Sequence, residues 1–588
     1  MSETGDRITR RYGNFRGVDF REDDDNLARS PDSLNVWRDY RNKNSIRTRP
    51  GLKSLGGIIA SSFGMCFHKD KLYIHCGVDI IQHKKTLSGF ELEGVCNPID
   101  KPCNLAKSNF FIYGNDLYFL DGKNYWIVGD NTITDVTEIA HIPTTSIARK
   151  AGTEDTPSGG TILEDVNMLS PYRINTFCLE GKDVYAWLDS KGIDNSFIPE
   201  ITVDGLGELK NFDDFMFYPS GKILFKCDIP APKTDGQDNV TVKFKMPDSD
   251  ANKIRNCTLV QTFDNRVFFS GNPNYPNMVW HSSLNDPAYV SDLDYYQEGL
   301  DNALVKGIIA GNNALWVFRE PSQANTTIFY HTPYHDADYG KIYPSMHSSI
   351  TTGCIGHAIN FNDDICFFSN RGMEGMSGDV TTEQAVAHRS SLVDRKMLAE
   401  SGYKNMVLVE WEGYLVVFIG NKAYLADSRK MFSNENHNEY EWFYWELGTN
   451  VKSAVVKDGV LYIGGDDGIY SMSTDTTADG EYAISDDNGK VIESYWVTPK
   501  DKFSAPNKLK TTNKRGCVVE ATGDIDVYAK TEDSDFELIG SYQNVTDYFA
   551  SRIKRKKFKD IQLKFYSRTR FSLETATLEC FIGGYIKR

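Results

Sequence analysis

Two imidazoles and two carboxylates fall within eight residues in His331-Thr332-Pro333-Tyr334-His335-Asp336-Ala337-Asp338. Donors of these types can ligate a metal ion. No helical period puts the two histidines on one face, so a solvated loop is expected and no metal or other cofactor is assigned. Asp23, Asp24 and Asp25 lack the spaced acids and glycine of a calcium loop, and read as a charged surface. Arg552, Lys554, Arg555, Lys556 and Lys557 form a dense basic run. Such a run can face DNA phosphates or an acidic neighbouring subunit, and its plainer reading is an exposed strand edge guarded by charge. Tyr275, Tyr289, Tyr295 and Tyr296 gather with Trp280. Rings like these stack on sugars, anchor an interface or pack a core, and the sequence leaves all three open. Paired carboxylates for glycoside hydrolysis must stand about 5 to 9.5 Å apart, which 81 scattered acidic residues do not reveal. The Ser-x-Asp-x-Gly-x-Thr-Trp turns of sialidases are absent, and no enzyme is expected.

The elements that must position these groups announce themselves by repetition. A polar turn followed by an apolar, aromatic run recurs as Lys69-Asp70-Lys71-Leu72-Tyr73-Ile74, Gly114-Asn115-Asp116-Leu117-Tyr118-Phe119 and Asp264-Asn265-Arg266-Val267-Phe268-Phe269. It returns around Leu315, Ile365, Leu415 and Val460. Successive phrases lie 45, 48, 50, 50 and 45 residues apart, and only Leu117 to Val267, at 150, breaks the interval. Asp, Asn and Gly suit tight turns, and aromatic and β-branched residues suit a buried strand. A period of about 40 to 50 residues is that of a four-stranded propeller blade. The expectation is an all-β chain: a β-propeller of about seven blades, each phrase marking an inner or second strand. The competing reading is several unrelated all-β domains sharing hairpin turns.

A chain of 588 residues is too long for one core. Residues 1–56 form an amino-terminal strap with ten arginines from Arg7 to Arg49, expected to close the propeller or cover a sheet edge. Ser30-Pro31 could open a short helix there. Residues 57–142 hold the first blades, 143–250 an inserted β-sandwich, 251–475 the remaining blades and 476–588 a carboxy-terminal β-sandwich. In the last, Ile525, Val527 and Ala529, then Ile561, Leu563 and Phe565, then Phe571 and Leu573 alternate with polar residues. A net charge of −16 excludes a generally nucleic-acid-binding surface but allows local basic patches. Eleven dispersed cysteines without a CxxC pair fit a reducing compartment. The amino terminus has no apolar core of a signal peptide, and no stretch approaches the roughly 20 apolar residues of a membrane helix. Synthesis and assembly in a cytoplasm, with no membrane partner, are expected.

At the strap, Arg16-Gly17-Val18-Asp19, Ser30-Pro31-Asp32-Ser33-Leu34-Asn35-Val36-Trp37 and Arg49-Pro50-Gly51-Leu52 together resemble the opening of tailed-bacteriophage virion proteins that combine a propeller with β-sandwiches. These are the tail nozzle or tubular proteins of short-tailed phages and head-completion plug proteins. Phe268-Phe269-Ser270-Gly271-Asn272-Pro273, the Trp280-His281-Ser282-Ser283 and Asn285-Asp286-Pro287-Ala288-Tyr289 phrases, and the final Gly583-Gly584-Tyr585-Ile586-Lys587-Arg588 are similar to the same group. The resemblance implies a structural virion role, in a homo-oligomeric ring around the DNA exit channel in the tail or at the head-to-tail junction. Portal, adaptor or other tail proteins would be neighbours, and double-stranded DNA would make transient contacts. Arg16, Asp19, Trp37 and Arg49 are then candidates for a subunit interface, and the basic run for the lumen or an interface. The alternative is a receptor- or glycan-binding tail protein using the propeller face.

Overall fold

A computed structural model describes residues 7–21, 26–41, 45–57, 60–86, 90–136, 200–217, 223–227, 230, 240–243, 248–288, 290, 294–322, 326–336, 340–348, 350–376, 386–434, 437–466, 468–532, 534–553 and 557–585. Each phrase opens the second strand of a four-stranded sheet: Lys71–Cys76, Asp116–Leu120, Arg266–Ser270, Ala314–Arg319, Asp364–Ser369, Tyr414–Ile419 and Val460–Gly464. These seven sheets are the blades of a β-propeller.

The turn chemistry explains why the phrase repeats. Both turn residues have positive φ in six blades, as at Asp264 (50°) and Asn265 (58°), Asn312 (53°) and Asn313 (58°), and Asp458 (53°) and Gly459 (78°). Register closes at Phe263↔Arg266, Gly311↔Ala314 and Lys457↔Val460, leaving two-residue loops. A loop of that length follows the strands' right-handed twist only with φ above zero at both positions, which Asn, Asp and Gly tolerate. After the turn the strand is covered on both faces, so it reads as an unbroken apolar run; all six residues of Tyr414–Ile419 are buried.

The chain divides into two compact units, Met1–Phe67 with Lys85–Glu91 and Cys354–Arg588, and His68–Lys84 with Leu92–Gly353. The second unit carries blades two to four and the insertion. Of the insertion, the described part is a three-stranded sheet, ordered Gly207–Leu209, Glu200–Val203, Val240–Lys243, and a hairpin of Phe215–Phe217 with Ile223–Phe225. Residues 137–199 and 218–222 lie outside the described residues. A helix, Asp248–Arg255, leads back to the third blade, where Ile254 and Cys257 pack with Phe269 and Trp280.

The first unit holds blades five to seven, the strap and the carboxy-terminal domain. The seventh blade takes its fourth strand, Lys53–Gly57, from the amino-terminal side of the chain. The expected boundary after residue 56 therefore cuts a blade strand. The carboxy-terminal domain is one ten-stranded sheet consistent with a β-sandwich, and the alternating residues named above all face its core. Its longest strand, Lys508–Thr531, changes register at Gly523/Ile525 and Val527/Tyr528, where irregularities let a strand pass from one layer to another. The strap is woven into this sheet: Arg7–Tyr12 pairs with Phe571–Tyr585, Ser33–Leu34 with Ser494–Val497, and Ile46–Thr48 with Ser572 and Leu573. Ser30 starts no helix. It ends a short strand, and its hydroxyl donates to the Val497 carbonyl at 2.7 Å.

Candidate functional site

The strap residues singled out in the sequence converge inside the first unit. Trp37 is 1% exposed, stacks on Trp411 with ring centroids 5.5 Å apart, and meets Trp445 edge-on at 5.4 Å. Arg49 is 2% exposed. Its guanidinium donates to both Asp487 oxygens at 2.8 and 2.5 Å, to Asn35 Oδ1 at 3.0 Å and to the carbonyls of Pro50 and Glu446 at 3.0 and 2.8 Å. A planar fork suits such bidentate pairing, and its donors are spent on it. Asn35 holds a left-handed φ of 54°, which lets Oδ1 also accept from Glu446 N at 2.8 Å while Nδ2 donates to Glu493 O at 2.8 Å.

Asp19, 2% exposed, takes the Arg21 guanidinium at 2.9 and 2.8 Å. Arg16 keeps 41% of its side chain exposed and stands 3.6 Å from Glu441, which Arg29 holds with two 2.8 Å bonds. Asp19, Trp37 and Arg49 are thus committed within their own chain, Asp19 inside the strap, Trp37 and Arg49 joining the strap to the sixth blade and the carboxy-terminal domain. Their burial leaves them no surface for a neighbouring subunit; of the four, Arg16 alone reaches solvent. Gly17 and Gly51 belong to the same clamp: a Cβ would lie 2.0 Å from Trp442 O and 2.1 Å from Asp486 O respectively.

His331 and His335 do not meet as a ligand pair. His331 is fully buried, with Nε2 2.8 Å from Glu298 Oε1 and Nδ1 3.0 Å from the Tyr343 carbonyl, whereas His335 sits on the separate hairpin Tyr334–Asp336/Gly340–Ile342. Asp338 and Asp23 to Asp25 lie outside the described residues, and among those described no group of three His, Cys, Asp or Glu could hold a metal. In the fifth blade, His388 Nε2 lies 2.5 Å from Asp394, and Ser390 Oγ donates to the other Asp394 oxygen at 2.6 Å. The serine thus bonds the carboxylate instead of the imidazole, which is not the order that activates a nucleophile. Burial works against the imidazolium of His388, but the Asp394 and Glu374 carboxylates outweigh it and lift its pKa to about 10.

On the carboxy-terminal domain, a cleft of about 160 Å³ is lined by Leu538, Ile539, Ile553 and Phe558, with Arg552 beside it. Arg552 and Lys557 are exposed; Lys554, Arg555 and Lys556 lie outside the described residues. Trp280 is 4% exposed and belongs to the core of its blade, while Tyr275 and Tyr295 are 41% and 43% exposed; Tyr289 lies outside the described residues. The strap's side of the clamp shows in its arginines and its phrases, whereas the partners do not, because they are remote, Arg49 and Asp487 being 438 positions apart.

No protein-family model and no curated protein matches the chain. Among solved structures, it is similar to the computationally designed Ika8 protein at 10% identity and a TM-score of 0.32, over 72% of this chain and 99% of that one. It is similar to BamB from Moraxella catarrhalis at 8% identity and a TM-score of 0.33, over 74% and 92%. An exo-beta-1,3-galactanase from Phanerochaete chrysosporium matches at 9% and 0.21, over 54% and 94%. Likenesses at this level carry no argument about what the chain does.

Proposed function

We propose that the chain is a structural subunit of a tailed-bacteriophage virion, forming a homo-oligomeric ring around the DNA exit channel in the tail or at the head-to-tail junction. One observation carries the reading: of the residues of the resembling strap phrases, Gly17, Asn35, Trp37, Arg49 and Gly51 lock strap, sixth blade and carboxy-terminal domain together. Phrases spent on a mechanical lock fit a protein whose work is to be stiff. The role needs interfaces and rigidity; Arg552 and Lys557 offer exposed cations for weak, passing contact with DNA phosphates. Portal, adaptor or other tail proteins are the neighbours this position entails, and the virion, assembled in the host cytoplasm, is its location.

Light scattering and electron microscopy of the purified chain test the ring, and labelling its carboxy terminus in purified particles tests the place. Closed rings and label at the tail or its junction with the head are expected; a chain that stays monomeric and is missing from particles would overturn the proposal. The exposed rings of Tyr275 and Tyr295 support the rival reading, a receptor- or glycan-binding tail protein. Saturable binding in a glycan array, abolished by Tyr275→Ala with Tyr295→Ala, would favour that rival.

A further inference from the structure

Besides the short strands Ser33–Leu34 and Val36–Arg38 at the ends of its path, the carboxy-terminal sheet has, among the described residues, two longer open edges. Glu537–Val545 and Tyr548–Ser551 both pair antiparallel with Lys508–Thr531, from Ala529↔Glu537 to Gly523↔Val545 and from Glu520↔Tyr548 to Cys517↔Ser551. They are two parts of one edge, spanning about 50 Å at the usual rise per residue. On the far side of Lys508–Thr531 lies Phe571–Tyr585, and beyond that Arg7–Tyr12. Tyr12, Ala576, Val519 and Phe549 stand in one row across these four strands. Among the described residues, neither Arg7–Tyr12 nor the edge from 538 to 551 has a strand paired to its outer side.

An unpaired edge is a template for another chain, and proteins usually blunt it with lysine, proline or a short strand. From Leu538 to Ser551 there is no Lys, Arg or Pro, and Asp547 is the one charged residue. Leu538 and Tyr548 stand 55% and 63% exposed. The opposite edge carries Arg7, Arg10 and Arg11 in six residues, Arg7 paired with Glu579 and Arg10 with Asp501 of the same chain. The strands alternate in direction across the row, so a second copy placed in the same orientation would present Arg7–Tyr12 antiparallel to the 538–551 edge. Such head-to-tail contacts close into rings when the rotation permits.

We infer that the Arg7–Tyr12 edge of one copy pairs with the 538–551 edge of the next, carrying one antiparallel sheet from subunit to subunit. This rests on the reading of the chain as a ring subunit. Level across the row, Arg11 stands with Ala550 and Arg10 with Ser551, beside Arg552; closed sheets stagger their strands, and the inferred register is the one shifted by about seven residues, in which Arg7 and Arg11 meet Asp547 and Gln543.

The test uses the full-length chain. Hydrogen exchange is compared between the wild-type oligomer and the same protein diluted to monomer. Amides of 7–12 and 538–551 should slow by about tenfold or more in the oligomer. Arg7→Glu with Arg11→Glu should give folded monomers that melt a few degrees lower, because the Arg7–Glu579 ion pair is lost, and Gln543→Lys with Asp547→Lys should give monomers of unchanged melting temperature. All four changes in one chain should restore the oligomer, because the charges are again opposite. A wild-type ring whose edge amides exchange as fast as in the monomer would overturn the edge pairing and leave the ring standing. Protection that appears only on adding other virion proteins would overturn the choice of a second copy. A wild-type chain that is monomeric at every concentration would bring down the ring reading itself.

Discussion

His75 shows what a single buried group does to this fold. It is fully buried in the second unit, its Nε2 donates to the Gly77 carbonyl at 3.0 Å, and its ring meets Phe119 edge-on. Burial pushes its pKa down to about 4, against the weaker upward pull of Asp121 and Gly77. The unfolded chain takes up a proton near pH 6.5 and the folded chain does not until about 4, so stability is full above 6.5 and drains as pH falls through that window. The full linkage is about 3 kcal/mol. Urea midpoints for wild type and His75→Gln at pH 7 and 4.5 check it: the wild type should lose about 2 kcal/mol more than the variant on acidification. At the clamp the sign concerns charge instead. Arg49→Ala strands Asp487 as a buried carboxylate and should cost about 3–5 kcal/mol, read as a lower melting temperature of the first unit. Unchanged melting would mean that water reaches Asp487.

At the scale of elements, the turns carry a prediction of their own. Asn313 holds φ at 58° between Val305–Gly311 and Ala314–Arg319, and a β-branched side chain is disfavoured there by about 1–2 kcal/mol. Asn313→Val should therefore lower the unfolding midpoint, whereas Asn313→Gly should leave it level or raised; equal midpoints would show that the turn carries no strain. This local demand is why the blades were legible in the sequence: a two-residue loop with both φ values positive selects Asn, Asp and Gly at fixed places, and the covered strand after it selects an apolar run. The alternation around Ile525 and Leu563 was legible for the same kind of reason, one face dry and one wet. The strap was not, because short strands such as Arg29–Ser30 and Ser33–Leu34 carry no period and owe their shape to residues hundreds of positions away. Ser30-Pro31 has the look of a helix start, yet the Val497 carbonyl takes the hydroxyl that a helix cap would need. His331 likewise shows no sign in sequence of turning inward to Glu298 while His335 turns to a separate hairpin.

At the scale of the whole molecule, the chain sorts into segments that the fold depends on and one that it carries. Strap residues before 50 contribute four strands to the carboxy-terminal sheet and Trp37 and Arg49 to the clamp, so a truncation through residue 50 would unfold the first unit and could not report on assembly. The insertion stands otherwise. Its two stems meet at an ion pair, Asp135 Oδ2 with Arg255 Nη2 at 2.8 Å, and the helix Asp248–Arg255 that ends it is anchored by Ile254 and Cys257 in the blade core. Chain ends that lie together can be joined at little entropic penalty, since closure varies only slowly with loop length. Replacing residues 143–245 by a short Gly-Ser linker, with both stems kept, should leave a soluble chain whose melting of the blades shifts by no more than a few degrees. If the ring depends on the two sheet edges, that shortened chain should also oligomerise, because neither edge is touched. A monomer with intact melting would place the subunit contact in the insertion instead.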